Sequence, residues 1–217
     1  MAKQNSIGNA TGSLTVDPGA AGDSSLQFSI SGTPEFVIGV YDTDDSFRIS
    51  QGNTPAVNDC LIVESTGVQR RPLNPLFAAF RETTLSNVTG SNNTYNISMD
   101  GESYDIGGHY SGVTFVAPVT GIYLVVGNIQ LQELTTTHQG SFFALLTSNR
   151  NFRGNTYNTT INKPAGTMRL VGSCLVDMDA GDNLRSNIRT FGAGTNTVDV
   201  YGEATNYYTS ISGYLMC

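Results

Sequence analysis

The sequence has few charged residues and very little lysine, and this shortage excludes one class of partner. Charged residues make up 13% of the chain, whereas typical soluble domains contain about 25%. Lysine occurs only at Lys3 and Lys163, and the arginines are scattered. With a net charge of −7, the chain lacks the clustered positive charge that binds phosphate backbones, so we expect no nucleic-acid partner.

Cysteines and long apolar segments are also scarce. Cys60, Cys174 and Cys217 are far apart and form no CxxC pair, so we expect neither a disulfide framework nor a zinc site. No run approaches the roughly 18 apolar residues that span a bilayer, so we expect no membrane insertion. Residues 1–5 lack the apolar core of a secretory signal, which favours synthesis and folding in a reducing cytoplasm.

Short apolar alternations predict a series of strands in the first third of the chain. The alternating groups are Leu26, Phe28 and Ile30, then Phe36, Ile38 and Val40, then Phe47 and Ile49, followed by residues 60–63. Turn residues separate the groups at 31–34, 42–46 and 65–67. A small sheet with one apolar face needs a partner, and three identical chains around an axis would supply one.

Residues 70–75 read Arg-Arg-Pro-Leu-Asn-Pro and break this alternation. Two prolines in four positions hold the backbone extended, as in a stiff linker. We therefore predict an extended attachment arm at 1–23, a β-rich shaft at 24–71, a linker at 72–75 and an all-β domain at 76–217.

Two strands of that larger domain are apolar on both faces. In residues 122–131, Ile122 and Leu124 alternate with Tyr123 and Val125, so each face of the strand carries large apolar side chains. Residues 141–147 repeat the pattern, and residues 170–178 show it more weakly. Because a two-layer sandwich normally leaves one face of each sheet wet, we predict a second apolar contact with another subunit, and hence an obligate oligomer.

Residues 107–124 predict a short apolar strand, a turn at 118–121 and a long apolar strand, which is the pattern of a hairpin. The run from Phe115 to Tyr123 resembles the F-T-x-P-x-x-G-x-Y core of C1q/TNF-like jelly rolls. Residues 208–217 resemble the closing S-x-F-S-G-F-L strand of that family, and residues 76–81 resemble its first strand. The resemblance implies a C1q/TNF-like jelly-roll sandwich that acts as a trimeric binding head and is not an enzyme. The residues expected in its trimer contacts and core are Phe115, Tyr123, Val125, Phe143, Leu145 and Tyr214.

The β-rich segment at 24–70 resembles the shafts of bacteriophage fibres. Together the two resemblances imply a trimeric fibre or spike, made in the host cytoplasm and located in the virion. Its arm would hold other virion proteins, and its C-terminal knob would bind a glycan or protein on the host surface. Two alternatives stay open: a capsid decoration protein without receptor binding, and a bacterial C1q-like lectin-type module.

The sequence contains only weak evidence for a catalytic or metal-binding site. His109 and His138 are the only histidines, no G-x-S-x-G motif occurs, and no cysteine has a basic neighbour. The carboxylates at 42–45 and at 100–105 are of the kind that calcium prefers. However, Phe47 stands where a twelve-residue calcium loop needs glycine, so both clusters are interpreted as turns. We predict no enzyme activity, no metal and no cofactor.

Receptor contacts are expected in three tracts that are rich in Gly, Asn and Thr: Thr135–Gly140, Asn149–Lys163 and Phe191–Thr197. Tyrosine rings can stack on sugars while amides and hydroxyls bind them, and loops carry function more often than strands do. The receptor-binding candidates are Asn155, Tyr157, Asn158, His138 and Tyr201.

Overall fold

The computed structural model describes residues 16–19, 21–157 and 166–217. The chain divides into two compact units, Met1–Asn74 and Pro75–Cys217, and this division lies inside the predicted linker at 72–75. Over the described ranges the structure is built from β-strands and contains no α-helix, as predicted, and no helix there is long and apolar enough to cross a membrane. Most of the predicted arm lies outside these ranges, and the roles of arm and shaft stay predictions.

The first unit is a five-stranded antiparallel meander. Its strands are β1 (Ser24–Ile30), β2 (Thr33–Tyr41), β3 (Ser46–Gln51), β4 (Asp59–Val63) and β5 (Gln69–Arg70), paired in chain order. The first four were predicted from alternation. Ser31 and Gly32 join β1 to β2 with positive φ at both residues, the geometry that lets a two-residue hairpin follow the strand twist.

The buried side of this meander contains an ion network beside the buried Val37 and Ile62. Arg48, with 8% of its surface exposed, donates from Nη1 to Asp59 Oδ2 at 2.5 Å and from Nη2 to Asp44 Oδ2 at 2.6 Å. Ser50 Oγ donates to the other oxygen of Asp59 at 2.5 Å. Burial opposes the charge of Arg48, yet the hydrogen bonds to the two carboxylates outweigh burial and raise the pKa of Arg48 above its usual value, so it stays a cation.

The second unit is a sandwich of two antiparallel sheets. The seven-stranded sheet contains β6 (Leu76–Phe80), β7 (Leu85–Thr89), β9 (Gly101–Ile106), β12 (Gly121–Gln132), β15 (Met168–Met178), β17 (Val198–Val200) and β18 (Ser210–Leu215). The six-stranded sheet contains β8 (Thr94–Asn96), β10 (Tyr110–Ser111), β11 (Thr114–Val116), β13 (Gly140–Thr147), β14 (Asn151–Tyr157) and β16 (Asn183–Phe191). In the first sheet the order β9-β6-β18-β12-β15 places the longest strand, β12, between β18 and β15.

The core lies between the inner faces of these sheets. Tyr123 and Val125 from one sheet meet Phe143 and Leu145 from the other, and all four are fully or almost fully buried. Phe115 joins them, with its ring centroid 5.7 Å from that of Tyr123. Five of the six predicted trimer or core residues therefore lie in the core of a single chain, whereas the sixth, Tyr214, is partly exposed on the outside.

The predicted hairpin at 107–124 is wrong. β11 pairs with β10 and β16 in the six-stranded sheet, while β12 belongs to the seven-stranded sheet. Residues 117–120 cross from one sheet to the other, and Ala117 bonds through both its N–H and its carbonyl to the turn at Gly181–Asp182. Strand formers flanking turn residues look the same in sequence whether the two strands pair or face each other across a core.

We expect the ion network of the first unit to be necessary for its stability. Asp59→Ala leaves a buried guanidinium with one carboxylate fewer, and should lower the free energy of unfolding of this unit by about 3–5 kcal/mol. Glu64→Ala is the matched control, because it removes the pair with the exposed Arg70, which is worth about 0–1 kcal/mol. Hydrogen exchange of the β2 and β3 amides measures the loss of stability in each variant. Equal losses in the two variants would contradict the expectation.

Candidate functional site: an outer sheet face and a loop end

The outer face of the seven-stranded sheet is apolar across its centre. On β15, Leu170 and Val176 point into the core, while Val171 and Leu175 point outward. Leu175 is 58% exposed. It lies directly opposite Leu124 of β12, which is itself on the outer face because its neighbours in the strand are buried.

The strand register extends this pair into a continuous row, here called the outer row. Leu124 lies opposite Tyr214 of β18, which lies opposite Leu76 of β6, which lies opposite Ile106 of β9. The outer row is therefore Leu175, Leu124, Tyr214, Leu76 and Ile106, with one residue from each of five strands. A parallel row of Ser173, Val126, Ser212, Ala78 and Tyr104 runs beside it.

Neither row contains a charged side chain. Contiguous apolar surface of this kind on a soluble protein marks a contact with another macromolecule. Sequence reasoning identified Leu124 and Tyr214 but missed Leu76 and Ile106. No local pattern could have found those two, since they join the row only through pairing of strands that are remote in sequence.

The outer face of the six-stranded sheet has a different character. Arg153 lies with its guanidinium carbon 4.6 Å from the ring centroid of Phe142, and Arg189 lies 5.8 Å from the same ring. Ala144, the next outward residue of β13, is fully buried. Residues 141–147 were also expected to contact another subunit. Because β13 lies in the other sheet, such a contact would be separate from one through β12, and it stays a prediction.

His138 is fully buried, which is contrary to its expected place at a receptor surface. Its Nδ1 accepts the backbone N–H of Thr135 at 2.9 Å, so Nε2 is the ring nitrogen that carries the proton. Nε2 lies 3.3 Å from Thr197 Oγ1. The histidine therefore links two of the predicted loop tracts to each other, and its role is to hold the loops in place.

The loops around His138 meet at one end of the sandwich, called here the His138 end and formed by residues 90–93, 133–139 and 192–197. Ala193 N–H donates to Gly90 O at 3.2 Å, and Ser91 Oγ donates to Asn196 Oδ1 at 2.6 Å. The last residue of β14, Tyr157, pairs with Ser141 at the start of β13, so its backbone reaches the same end.

The third predicted tract, 149–163, is not one loop. Residues 151–157 form β14, which the sequence did not predict because Gly154 and Asn155 interrupt the alternation at a bulge. Asn149 lies at the opposite end of the sandwich, where its Nδ2 donates to Asp182 Oδ2 at 2.9 Å.

The remaining receptor candidates do not lie together at one site. Asn155 and Tyr157 belong to β14, and Asn158 lies outside the described residues. Tyr201 is partly buried, with its ring 5.3 Å from that of Tyr208, and Arg169 lies 5.2 Å from the Tyr208 ring. Nothing in this geometry tests the receptor assignment, which stays a prediction.

The carboxylates at 100–105 are engaged by the turns around them. Partial burial favours the neutral acid at Asp100, but hydrogen bonds from Thr83 and the Glu82 N–H and the charge of Arg81 outweigh it and lower the pKa of Asp100. Asp105 accepts the N–H groups of His109 and Tyr110 at 3.0 and 2.8 Å. Within the described ranges no three metal-ligating side chains cluster so as to hold an ion.

No family model matches the chain, and no curated protein matches it. Among solved structures, the chain is similar to the globular domain of a zebrafish complement 1qA protein, at 14% identity and a TM-score of 0.44, over 66% of this chain and 98% of that one. It is also similar to murine APRIL at pH 8.5, at 10% identity and a TM-score of 0.45, over 66% and 99%. The strand order of the two sheets is itself that of a jelly roll, as predicted.

We expect the chain to self-associate through the outer row. Leu175→Asp places a charge in the middle of that face, and burying an unpaired charge in a contact costs several kcal/mol, so the assembly should dissociate. The substituted chain should keep its circular dichroism spectrum, because position 175 is exposed in the single chain. Native mass spectrometry reports the number of copies.

The matched control is Thr156→Asp, which adds the same charge on the outer face of the other sheet, where residue 156 lies opposite Phe142. It should leave the number of copies unchanged. Val125→Asp and Leu145→Asp would not serve, since both positions lie in the core and the variants would unfold the single chain. Assembly that survives Leu175→Asp would contradict the assignment of the contact to this face.

Proposed function

We propose that the chain is a structural protein of a bacteriophage particle, a homotrimeric fibre or spike whose second unit binds a glycan on the host surface. The observation that carries the proposal is the outer row. A sandwich whose core is already closed presents a second apolar face across five strands. That face favours a protein that works as an assembly of several copies.

The geometry of the outer face supports a contact between identical chains. Leu124 and Tyr214 are neighbours on adjacent strands, and Leu175 beside them is the most exposed. A charge-free surface on a chain with a net charge of −7 is where copies approach with the least repulsion. The number three rests on the resemblance of residues 115–123 and 208–217 to C1q/TNF-like heads.

The His138 end supports the binding part of the proposal. Its loops are built on a rigid sandwich and are held by the buried His138, and loops positioned in this way commonly carry recognition sites. The backbone of Tyr157 arrives there beside Ser141. Three copies around one axis would repeat the same surface three times, so each site needs only modest affinity for a repeated glycan.

The virion assignment rests on the first unit and on the resemblance of residues 24–70 to fibre shafts. A meander that precedes a sandwich is the order expected of a shaft that carries a knob. We propose that residues 1–23 attach the fibre to other virion proteins. The decoration-protein and lectin-type alternatives share the assembly but differ in what the His138 end binds.

We expect the second unit to be autonomous. Residues 75–217 contain the whole sandwich core and the outer row, so a fragment of this length should fold and assemble into three copies. Light scattering with circular dichroism checks both properties. A folded monomer would contradict the proposed assembly, and an unfolded fragment would contradict the division of the chain at residues 74 and 75.

Host attachment should depend on the end of β14 and the residue that follows it. Replacement of Asn155, Tyr157 and Asn158 by alanine together should abolish binding to host cells or to their purified surface glycans, while the number of copies is unchanged. Asn53→Ala is the control, since it removes an exposed asparagine from the first unit. Binding is measured on intact cells by sedimentation and on glycans by surface plasmon resonance.

If the triple variant binds as well as the unchanged protein, the same test is applied to the 135–137 and 193–196 tracts of the His138 end. Unchanged binding there as well, with three copies intact, contradicts receptor binding at this end and favours a decoration protein. Binding to glycans that are absent from bacterial surfaces would favour the lectin-type module.

A further inference from the structure

The first unit presents a second apolar face, on the side of the meander away from the Arg48 network. Strand register places Leu26 opposite Ile38 and Phe28 opposite Phe36, and it places Ile38 opposite Ile49 in turn. The ten apolar residues that share this face, here called the meander face, are Leu26, Phe28, Ile30, Phe36, Ile38, Val40, Phe47, Ile49, Leu61 and Val63.

The meander face is the more exposed side of its sheet. Phe28 is 53% exposed and Ile30 is 69% exposed, and Leu26, Phe36, Val40 and Phe47 are each exposed by 40% or more. The opposite side contains the fully buried Ser46 and Ser50 and the nearly buried Arg48 and Asp59. The opposite side also buries Val37 and Ile62, yet most of the large apolar side chains of this sheet lie on its more exposed face. An exposed apolar patch of this kind is the informative departure from the usual pattern.

The area involved is larger than a single small sheet normally exposes. At about 200 Å² for each large side chain, the six most exposed residues leave on the order of 500 Å² of apolar surface, near the upper end of what a monomer shows. With the partly buried Ile38, Ile49, Leu61 and Val63 beside them, they supply much of the roughly 800 Å² per partner that a stable interface buries.

The remaining positions of the meander face are uncharged. By register they are Ser24, Thr33, Gln51 and Gln69, so no side chain on the face selects a partner by opposite charge. On a chain with a net charge of −7, an uncharged apolar face is the surface on which identical copies repel each other least.

We infer that the meander face binds the meander faces of other copies of this chain, so that the first unit is an assembly module in its own right. This inference rests on the proposed function in one respect. Copies held together by their second units bring their first units to a high effective concentration, so the meander faces can associate even when their affinity for each other is low. The apolar side chains would then be buried between copies, while the Arg48 network stabilises each sheet from behind.

The test is site-specific photocrosslinking of the purified full chain. Phe28 is replaced by p-benzoylphenylalanine, which fits an exposed aromatic position and so should not disturb the fold. The control carries the same group at Gln27, an exposed neighbour on the opposite side of β1. The protein is refolded from an equal mixture of unlabelled and ¹⁵N-labelled chains, so mass spectrometry distinguishes links between copies from links within one chain.

We expect irradiation of the position-28 protein to give covalent dimers and trimers whose linked peptides come from residues 24–63 of another copy, and we expect the control to lose these products. Links from position 28 to residues 75–217 would show that the second unit covers the face. Links to residues 1–15 of the same chain would show that the N-terminal segment does so. Either of those results, or the absence of links, overturns the inference.

These results distinguish a failure of this inference from a failure of the proposed function. Links between first units in a protein whose second unit is monomeric would support this inference and contradict the proposed assembly. A three-copy protein without such links would support the proposed assembly and contradict this inference. As a second measurement, Phe28→Asp should remove hydrogen-exchange protection from β1 and β2 in the full chain, whereas Gln27→Asp should not, and equal effects of the two would also overturn the inference.

Discussion

The constraint on which the second unit depends is that large apolar side chains occupy both faces of one antiparallel sheet. The inner face of β12 closes the core through Tyr123 and Val125, and the alternate residues of the same strand form the centre of the outer row. Strand geometry allows nothing else, since neighbouring side chains point to opposite faces. A strand with large apolar residues at successive positions therefore places some of them on the outer face of the single chain, which is the surface we propose for the contact between copies.

The few charges of the chain lie outside the two rows. Arg153 and Arg189 lie on the outer face of the six-stranded sheet. Asp177, which pairs with Arg150 at 3.0 Å, lies opposite Ile122 in the row next to the outer row. The contact that we propose between copies would therefore be bounded by charge on this side.

Sequence reasoning predicted the strands with a regular alternation and the faces of their side chains, but it missed β14 and did not predict which strands share a sheet. Alternation in residues 26–49 and 122–131 gave β1–β3 and β12 directly, because the two-residue period is local. The hairpin at 118–121 was wrong, because pairing depends on partners remote in sequence. His138 lay in a polar tract and was assigned to the surface. Only the meeting of loops 133–139 and 192–197 shows why it is buried. The Arg48 network could not be predicted either, since Asp59 reaches it through a bulge between β3 and β4.

The central claim is that the outer row is covered in the native protein. Hydroxyl-radical footprinting tests it directly by comparing Leu175 with Leu73, two leucines that are 58% and 50% exposed in the single chain. If the outer row binds other copies, Leu175 should be oxidised far more slowly than Leu73 in the native protein and at a similar rate after unfolding. Equal oxidation of the two leucines in the native protein would contradict the claim.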